Sequence, residues 1–242
     1  MSILADIESS NKAQIAMLID PDKFEESQVL KQINAANNAE VDYIFLGGSL
    51  ISNNALDISI EFIKANCNIP LVLFPGNSTH VSSKADAVLF LSLISGRNAD
   101  LLIGNHIHVA SWIKKQKLEV IPTGYMLIEC GRLTTAQYIS NTIPIPYDKP
   151  DIASATAVAG ELLGLRTIYI DGGSGAEKTI SVQMISKVKQ SIDIPLIVGG
   201  GIKSVESAKK IVKAGADIIV IGNAAEENPD LITDIANEIH QL

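Results

Sequence analysis

The stretch from Arg166 to Asn223, RTIYIDGGSGAEKTISVQMISKVKQSIDIPLIVGGGIKSVESAKKIVKAGADIIVIGN, holds three apolar runs that each stop at glycine: RTIYIDGG (166–173), IPLIVGGG (194–201) and ADIIVIGN (216–223). Runs apolar at nearly every position belong to strands covered on both faces, the condition of a parallel sheet. In the gaps the apolar spacing changes to three and four, with Val182, Ile185, Val188 and Ile192 in one and Ala208, Ile211 and Val212 in the other. Working outward, five more runs end in turn chemistry: AQIAMLIDP (13–21), VDYIFLGGS (41–49), IPLVLFPG (69–76), ADAVLFLSLIS (85–95) and LEVIPTGYMLI (118–128). Eight strands alternating with helices favour a closed barrel over an open doubly wound sheet. The expected fold is α/β, a modified TIM (β/α)₈ barrel, as one domain over residues 1–242.

One unit breaks the pattern. Between the runs ending near Phe74 and starting near Ala87, the segment NSTHVSSKADA is Ser-rich and too short for a good crossover helix. Either a loop replaces one outer helix or one strand assignment is wrong; the loop is preferred. A missing helix would open a groove in the outer ring.

Composition narrows the class. Of the 242 residues, 47% are hydrophobic but only 5% aromatic, so the apolar mass is Ile, Leu, Val and Ala. The net charge of −8 leaves no basic surplus for phosphates along a duplex, so no nucleic-acid partner is expected. A local phosphate pocket made of backbone N–H groups remains open. Cys67 and Cys130 lie far apart and outside any metal spacing, which fits free buried thiols in a reducing cytoplasm. The N-terminal stretch carries Asp6 and Glu8 with no basic region before its apolar residues, unlike a signal peptide. The apolar stretch 87–96 is about half a membrane span, so no transmembrane segment is expected.

In barrels the active site lies at the C-terminal ends of the strands. The last three end in Asp171-Gly172-Gly173-Ser174-Gly175, Gly199-Gly200-Gly201 and Gly222-Asn223. Glycines there let backbone N–H groups approach an anion, and Ser204 is placed to cap the helix that follows the second cluster. One such cluster is an ordinary turn; three at adjacent strand ends point to a phosphate. Asp20, ending the first strand, either holds Mg²⁺ against a substrate phosphate or caps a turn. Ser49 either adds a hydroxyl ligand or caps a helix. His80, His106, His108 and His240 show no metal spacing; His240 reads as a solvated tail residue, and one of His106 and His108 as packing. Arg97-Asn98 could reach a diphosphate or simply start a solvated helix. Tyr125 and Tyr169 are core residues by default, Tyr169 next to the phosphate loops.

Together these residues resemble the geranylgeranylglyceryl phosphate synthase family of prenyltransferases over nearly the whole chain. The resemblance rests on LIDPDK (18–23), IFLGGSLI (44–51), LFPGNSTHVSSKADAVLFLSLISGRNADLLIG (73–104), PTGYML (122–127), YIDGGSGA (169–176), VGGGIKS (198–204) and VIGNA (220–224). It implies a Mg²⁺-dependent modified barrel that transfers a polyprenyl group from its diphosphate to the C3 hydroxyl of sn-glycerol 1-phosphate, forming the first ether bond of archaeal-type lipids. By resemblance, Asp20 and Ser49 fall on the metal positions. Tyr169, Ile170, Asp171, Gly172, Gly173, Ser174, Gly175, Gly200, Gly201, Gly222 and Asn223 fall on the glycerol-phosphate positions. Asp171 and Tyr169 carry the catalytic assignment, Asp171 as the proton acceptor. Some members have Glu where this chain has Asp171. Heptaprenyl-type relatives carry Lys where this chain has Leu18, and the LIDPDK and SGRNAD forms resemble the second, often hexameric, subgroup. A geranylgeranyl diphosphate donor is therefore expected, its tail in a groove lined from strands two to four, with transient membrane contact as a route for product release.

Two rivals stay in view. A phosphosugar isomerase or aldolase-like barrel shares the glycine loops but needs a second acid/base or a strand-end Schiff-base lysine; Lys23 and Lys178 are near but lie outside the strands. A non-catalytic phosphate-ligand-binding barrel would bind without Mg²⁺-dependent turnover. The segment NADLLIGNHIHVASWIKKQ is apolar on more than one side (Leu101, Leu102, Ile103, Ile107, Val109, Trp112, Ile113), more buried than an outer-ring helix should be, which suggests a homo-oligomer, dimer or hexamer.

Overall fold

The computed structural model describes residues 2–51 and 55–242. Its strands are β1 (Gln14–Ile19), β2 (Tyr43–Gly48), β3 (Leu71–Pro75), β4 (Ala87–Leu93), β5 (Glu119–Leu127), β6 (Thr167–Asp171), β7 (Leu196–Gly199) and β8 (Ile218–Ile221). They pair in parallel, in sequence order, and β8 returns to β1 through Gln14↔Ile218 to Met17↔Ile221, closing the barrel. The helices are α1 (Ile3–Ser9), α2 (Glu26–Asn38), α3 (Ala55–Asn66), α4 (Asn105–Gln116), α5 (Thr135–Ser140), α6 (Pro150–Leu162), α7 (Val182–Lys189), α8 (Val205–Lys213), α9 (Asn223–Glu227) and α10 (Asp230–Ile239). A short 3₁₀ turn occupies Pro21–Lys23 and a π-turn Asp100–Gly104.

Strand side chains alternate between two apolar layers, as the period of two dictates. Ala16, Phe45, Val72, Leu89, Ile121, Tyr125, Tyr169, Ile197 and Ile218 fill the barrel interior. Ile15, Met17, Ile44, Leu71, Val88, Ile168 and Ile170 face the helices. At the N-terminal end α1 packs Ile3, Leu4 and Ile7 against the inner layer, and the Asp6 carboxylate accepts from the Tyr43 hydroxyl and Gln14 Nε2.

No helix lies between β3 and β4 among the described residues; the segment 76–86 is turns and bends. Its consequence reaches the wall itself. β3 and β4 pair only at Val72↔Ala87 and Leu73↔Val88, whereas β4 and β5 pair from Ala87↔Glu119 to Leu93↔Tyr125. Above Leu73 the wall parts, and the upper half of β4 faces a gap on its β3 side.

Three expectations change. The 98–116 segment was expected to be more buried than an outer-ring helix, as at a subunit interface, yet within the single chain Ile113 is its only buried apolar side chain among the described residues, while Ile103, Ile107 and Trp112 are exposed. The π-turn adds a residue to the coil and shifts the phase of everything before it. His240 is half-buried rather than a free tail, with Nε2 3.5 Å from Asp42 Oδ2. Cys67 is only half-buried, while Cys130 is buried, and both thiols are free.

Candidate active site

Two cavities meet at the C-terminal end of the barrel. The wider, of about 520 Å³, is walled by the strand-end loops of β1, β2 and β5 to β8. The structure brings to it Asp20, Ser49, Tyr169, Asp171, Gly173, Ser174, Gly175, Gly200, Gly201, Gly222 and Asn223. Ile170 and Gly172 are not in its wall. Ile170 lies between Tyr169 and Asp171 on a strand, so it points the other way, into the layer beneath the helices. Gly172 gives its N–H to the Gly199 carbonyl at 3.0 Å, and a Cβ there would stand 3.0 Å from Cys130 Sγ.

Gly200 sits at φ +88°, where a Cβ would stand 2.8 Å from the Gly173 nitrogen and 2.9 Å from Asp171 Oδ1. That close approach of two glycine loops requires glycine. The Ser174 hydroxyl donates to Asn223 Oδ1 at 3.1 Å, tying the β6 loop to the β8 loop. Ser204 caps α8 through a capping box with Ser207, as the sequence indicated.

Asp171 is the buried acid of this cavity. Oδ1 accepts from the Gly173 N–H at 2.7 Å and Oδ2 from the Tyr125 hydroxyl at 2.5 Å. Burial raises its pKa above the ordinary carboxylate value, against the pull of these two donors. Tyr125, Tyr169 and Phe74 form an aromatic trio, with Phe74 stacked on Tyr169 at 5.4 Å and Tyr125 edge-on to both. Among the described residues nothing hydrogen-bonds the Tyr169 hydroxyl, and the residue lines the cavity.

Asp20 caps a turn and also lines the cavity. Oδ1 accepts from the Asp22 N–H at 3.0 Å, capping the 3₁₀ turn, while the side chain lines the cavity and leans over Gly48, whose Cβ would stand 3.4 Å away. Burial pushes its carboxyl up as well. Among the described residues no group of three His, Cys, Asp or Glu could hold a metal ion. Mg²⁺ keeps most of its waters and binds through one or two carboxylates plus substrate phosphates, so a carboxylate and a hydroxyl at the rim of this glycine-walled cavity fit it.

The second cavity, of about 150 Å³, is a narrow apolar groove lined by Phe74, Val81, Val88, Leu89, Phe90, Leu91, Leu93, Leu101, Val109 and Ile139. It occupies the gap left by the missing helix. Its walls come from β3, β4, β5, α4 and α5; strand two gives only Gly48, not the apolar wall expected of it. His106 lines it too, edge-on to Phe90 at 4.5 Å and with Nδ1 buried without a hydrogen-bond partner. His80 anchors the β3–β4 loop, its Nδ1 accepting from the Gly76 N–H at 3.3 Å. Arg97 is exposed, donates to the Gly96 carbonyl at 2.7 Å, and lies in neither cavity wall.

Sequence reasoning missed the partnership of Tyr125 with Asp171, and missed Arg132, Lys203 and the α5 residues Thr135 and Ala136. Tyr125 reads as core inside a strand. The β5 loop, ECGRLTT, carried a usable signal, since it too follows a strand end.

The two cavities share Gly48, Ser49, Phe74, Tyr125 and Ala136, so the glycine-walled cavity opens directly into the apolar groove. Fold and site thus define a barrel for joining a phosphate-bearing molecule to a long apolar one. The chain belongs to the PcrB family, whose model matches residues 8–239. It is 53% identical to a geranylgeranylglyceryl phosphate synthase of Chitinophaga pinensis, over 93% of this chain and 89% of the relative. With a protein of the same name from Spirosoma linguale it shares 47% identity over 100% and 97% of the two chains. Its backbone also matches the crystal structure of (S)-3-O-geranylgeranylglyceryl phosphate synthase from Thermoplasma acidophilum in complex with sn-glycerol-1-phosphate, with a TM-score of 0.94, 33% identity and full coverage of both chains.

Proposed function

We propose that the protein is a prenyltransferase that joins a geranylgeranyl group, from its diphosphate, to the C3 hydroxyl of sn-glycerol 1-phosphate. The observation that carries this is the seam at Gly48, Ser49, Phe74, Tyr125 and Ala136, where the anion pocket and the apolar groove become continuous. The names of the relatives and the glycerol phosphate in the Thermoplasma structure support the same reading. A Schiff-base aldolase has no support, because among the described residues no strand contains a lysine.

The acceptor's phosphate lies against the glycines of the β7 and β8 loops, and its hydroxyls face Tyr169 and Asp171. The C3 oxygen forms a bond to the allylic carbon as that carbon's bond to the diphosphate oxygen breaks. The hydroxyl proton passes to Asp171, whose burial makes it a stronger base than a solvated aspartate. Tyr125 fixes the orientation of that carboxylate. Phe74, Tyr125 and Tyr169 keep water from the developing allylic charge. Asp20 and Ser49 would hold Mg²⁺, which when bound neutralises charge on the departing diphosphate. The tail lies along β4 towards Val109.

Among the described residues no helix is long and apolar enough to cross a membrane. With two free thiols, the cytoplasm suits the chain. The exposed Ile103, Ile107 and Trp112 support assembly as a homo-oligomer through the α4 side. The test of function is direct: the protein, Mg²⁺, glycerol 1-phosphate and prenyl diphosphates of graded length are incubated and the product is identified by mass. Strong preference for the C20 donor is expected; no ether product with any donor would overturn the reading.

A further inference from the structure

The anion cavity is lined by four acids, Asp20, Asp171, Glu226 and Glu227, and must accept two negatively charged substrates. Among the described residues its cations are Lys23, Arg132 and Lys203. Lys23 is committed to Glu226, its Nζ 2.8 Å from the carboxylate. Arg132 has a different setting. It stands on the loop after β5, and its guanidinium covers Gly175: from the point a Cβ on that glycine would occupy, Cζ is 3.5 Å away and Nη1 and Nη2 are each 3.6 Å away. Three nearly equal distances mean that the planar group presents its face to the glycine, not an N–H edge. No hydrogen bond or ion pair among the described residues engages it. Its five N–H donors lie in the plane of the group and remain available at the rim of a pocket built from glycines.

We infer that Arg132 binds the phosphate of the glycerol phosphate, its guanidinium spanning the β6 loop and presenting an N–H edge to the phosphate oxygens. This rests on the function proposed above and adds to it a side-chain cation for the acceptor's phosphate. The β6, β7 and β8 loops offer backbone N–H groups, which are neutral donors. A guanidinium adds net positive charge and two parallel donors matched to a phosphate. The location assigns it to the acceptor and not to the diphosphate, because Gly175 belongs to the β6 loop, while Asp20 and Ser49 stand at the ends of β1 and β2. Glycine at 175, with φ +73°, leaves the space the guanidinium occupies.

The test compares wild type, Arg132→Ala, Arg132→Gln, Arg132→Lys and Lys203→Ala by calorimetric titration with sn-glycerol 1-phosphate and by steady-state kinetics. Arg132 is exposed and unpaired, so its variants should melt with the wild type. Arg132→Ala and Arg132→Gln should weaken acceptor binding and raise its KM about 10- to 100-fold. The KM for the prenyl diphosphate should stay within about twofold, kcat should change little, and Arg132→Lys should recover part of the loss. Raising the salt concentration should weaken the wild type more than Arg132→Ala. Wild-type acceptor affinity in Arg132→Ala, an equal loss for both substrates, or a loss confined to Lys203→Ala would overturn the inference. If the wild type itself neither binds glycerol phosphate nor turns over, the proposed function falls, and the inference with it.

Discussion

At Asp171 burial strips water from the carboxylate while the Tyr125 hydroxyl and the Gly173 N–H return two hydrogen bonds, and the desolvation prevails. A carboxyl whose pKa is raised in the folded chain is protonated there at pH values where the unfolded chain has already lost its proton. Stability therefore falls as pH rises from the unfolded value through the folded one, and the ionised group costs the fold free energy at neutral pH. Asp171→Asn should lower kcat about 10²- to 10⁴-fold with acceptor binding less affected. It should also raise the melting temperature at pH 7, by about 2–4 °C per kcal/mol regained, a gain that shrinks as the pH is lowered through the folded pKa. A fully active variant would remove the carboxylate from the mechanism. The glycines make a second contrast. A Cβ at Gly200 would strike the Gly173 and Gly172 nitrogens at 2.8 and 2.9 Å, whereas at Gly222 the nearest atom is Leu18 Cδ2 at 3.6 Å. Gly200→Val should raise the acceptor KM at least tenfold, and Gly222→Ala far less, in the same assay. Much of this was legible in the sequence because strand ends mark the site, and Tyr169 and Asp171 are two apart on one strand. The same period of two excludes Ile170, and only the fold could bring Tyr125 to Asp171, a separation of 46 residues.

Between β3 and β4 the sequence NSTHVSSKADA offers too few residues for a crossover, and the structure turns that shortage into a groove. The eight strands were legible because each is a β-rich run closed by a turn residue, and parallel burial leaves no alternation to misread. The groove's walls were not legible. They depend on where the π-turn Asp100–Gly104 ends and α4 begins, a phase shift that no apolar spacing announces. They also depend on α5, a six-residue helix whose only strong signal is the Thr134–Gln137 capping box. Narrowing the groove should act on one substrate alone. Val109→Trp adds a large ring to the α4 wall across from β4, where the groove holds only about 150 Å³. Turnover of the C20 donor should fall at least tenfold while a C10 donor still reacts and the acceptor KM holds, measured over graded prenyl diphosphates. Equal loss for every chain length would place the tail elsewhere.

Over the whole molecule, a closed barrel buries its own apolar surface, so what remains exposed is informative. Ile103 is 62% and Ile107 67% exposed, four residues apart and so on one side of the coil, with Trp112 further along the same element. These side chains lie outside the groove wall, which the same segment supplies through Leu101, His106 and Val109. One element thus carries two apolar sides, one for the tail and one left in solvent by the single chain. A specific interface removes about 800 Å² from each partner, and large aliphatic and aromatic side chains near its centre carry most of the energy. A charge there would be buried without a partner on assembly. Ile107→Lys should therefore shift the sedimentation mass at micromolar concentration towards the 25.8 kDa of one chain. The melting temperature should fall by a few degrees, because assembly stabilises by mass action. The acceptor KM should be unchanged, since no residue of this surface lines the anion pocket. A wild type that sediments as a single chain would end the assembly proposal, and an Ile107→Lys variant with wild-type mass would move the interface to another face of the barrel.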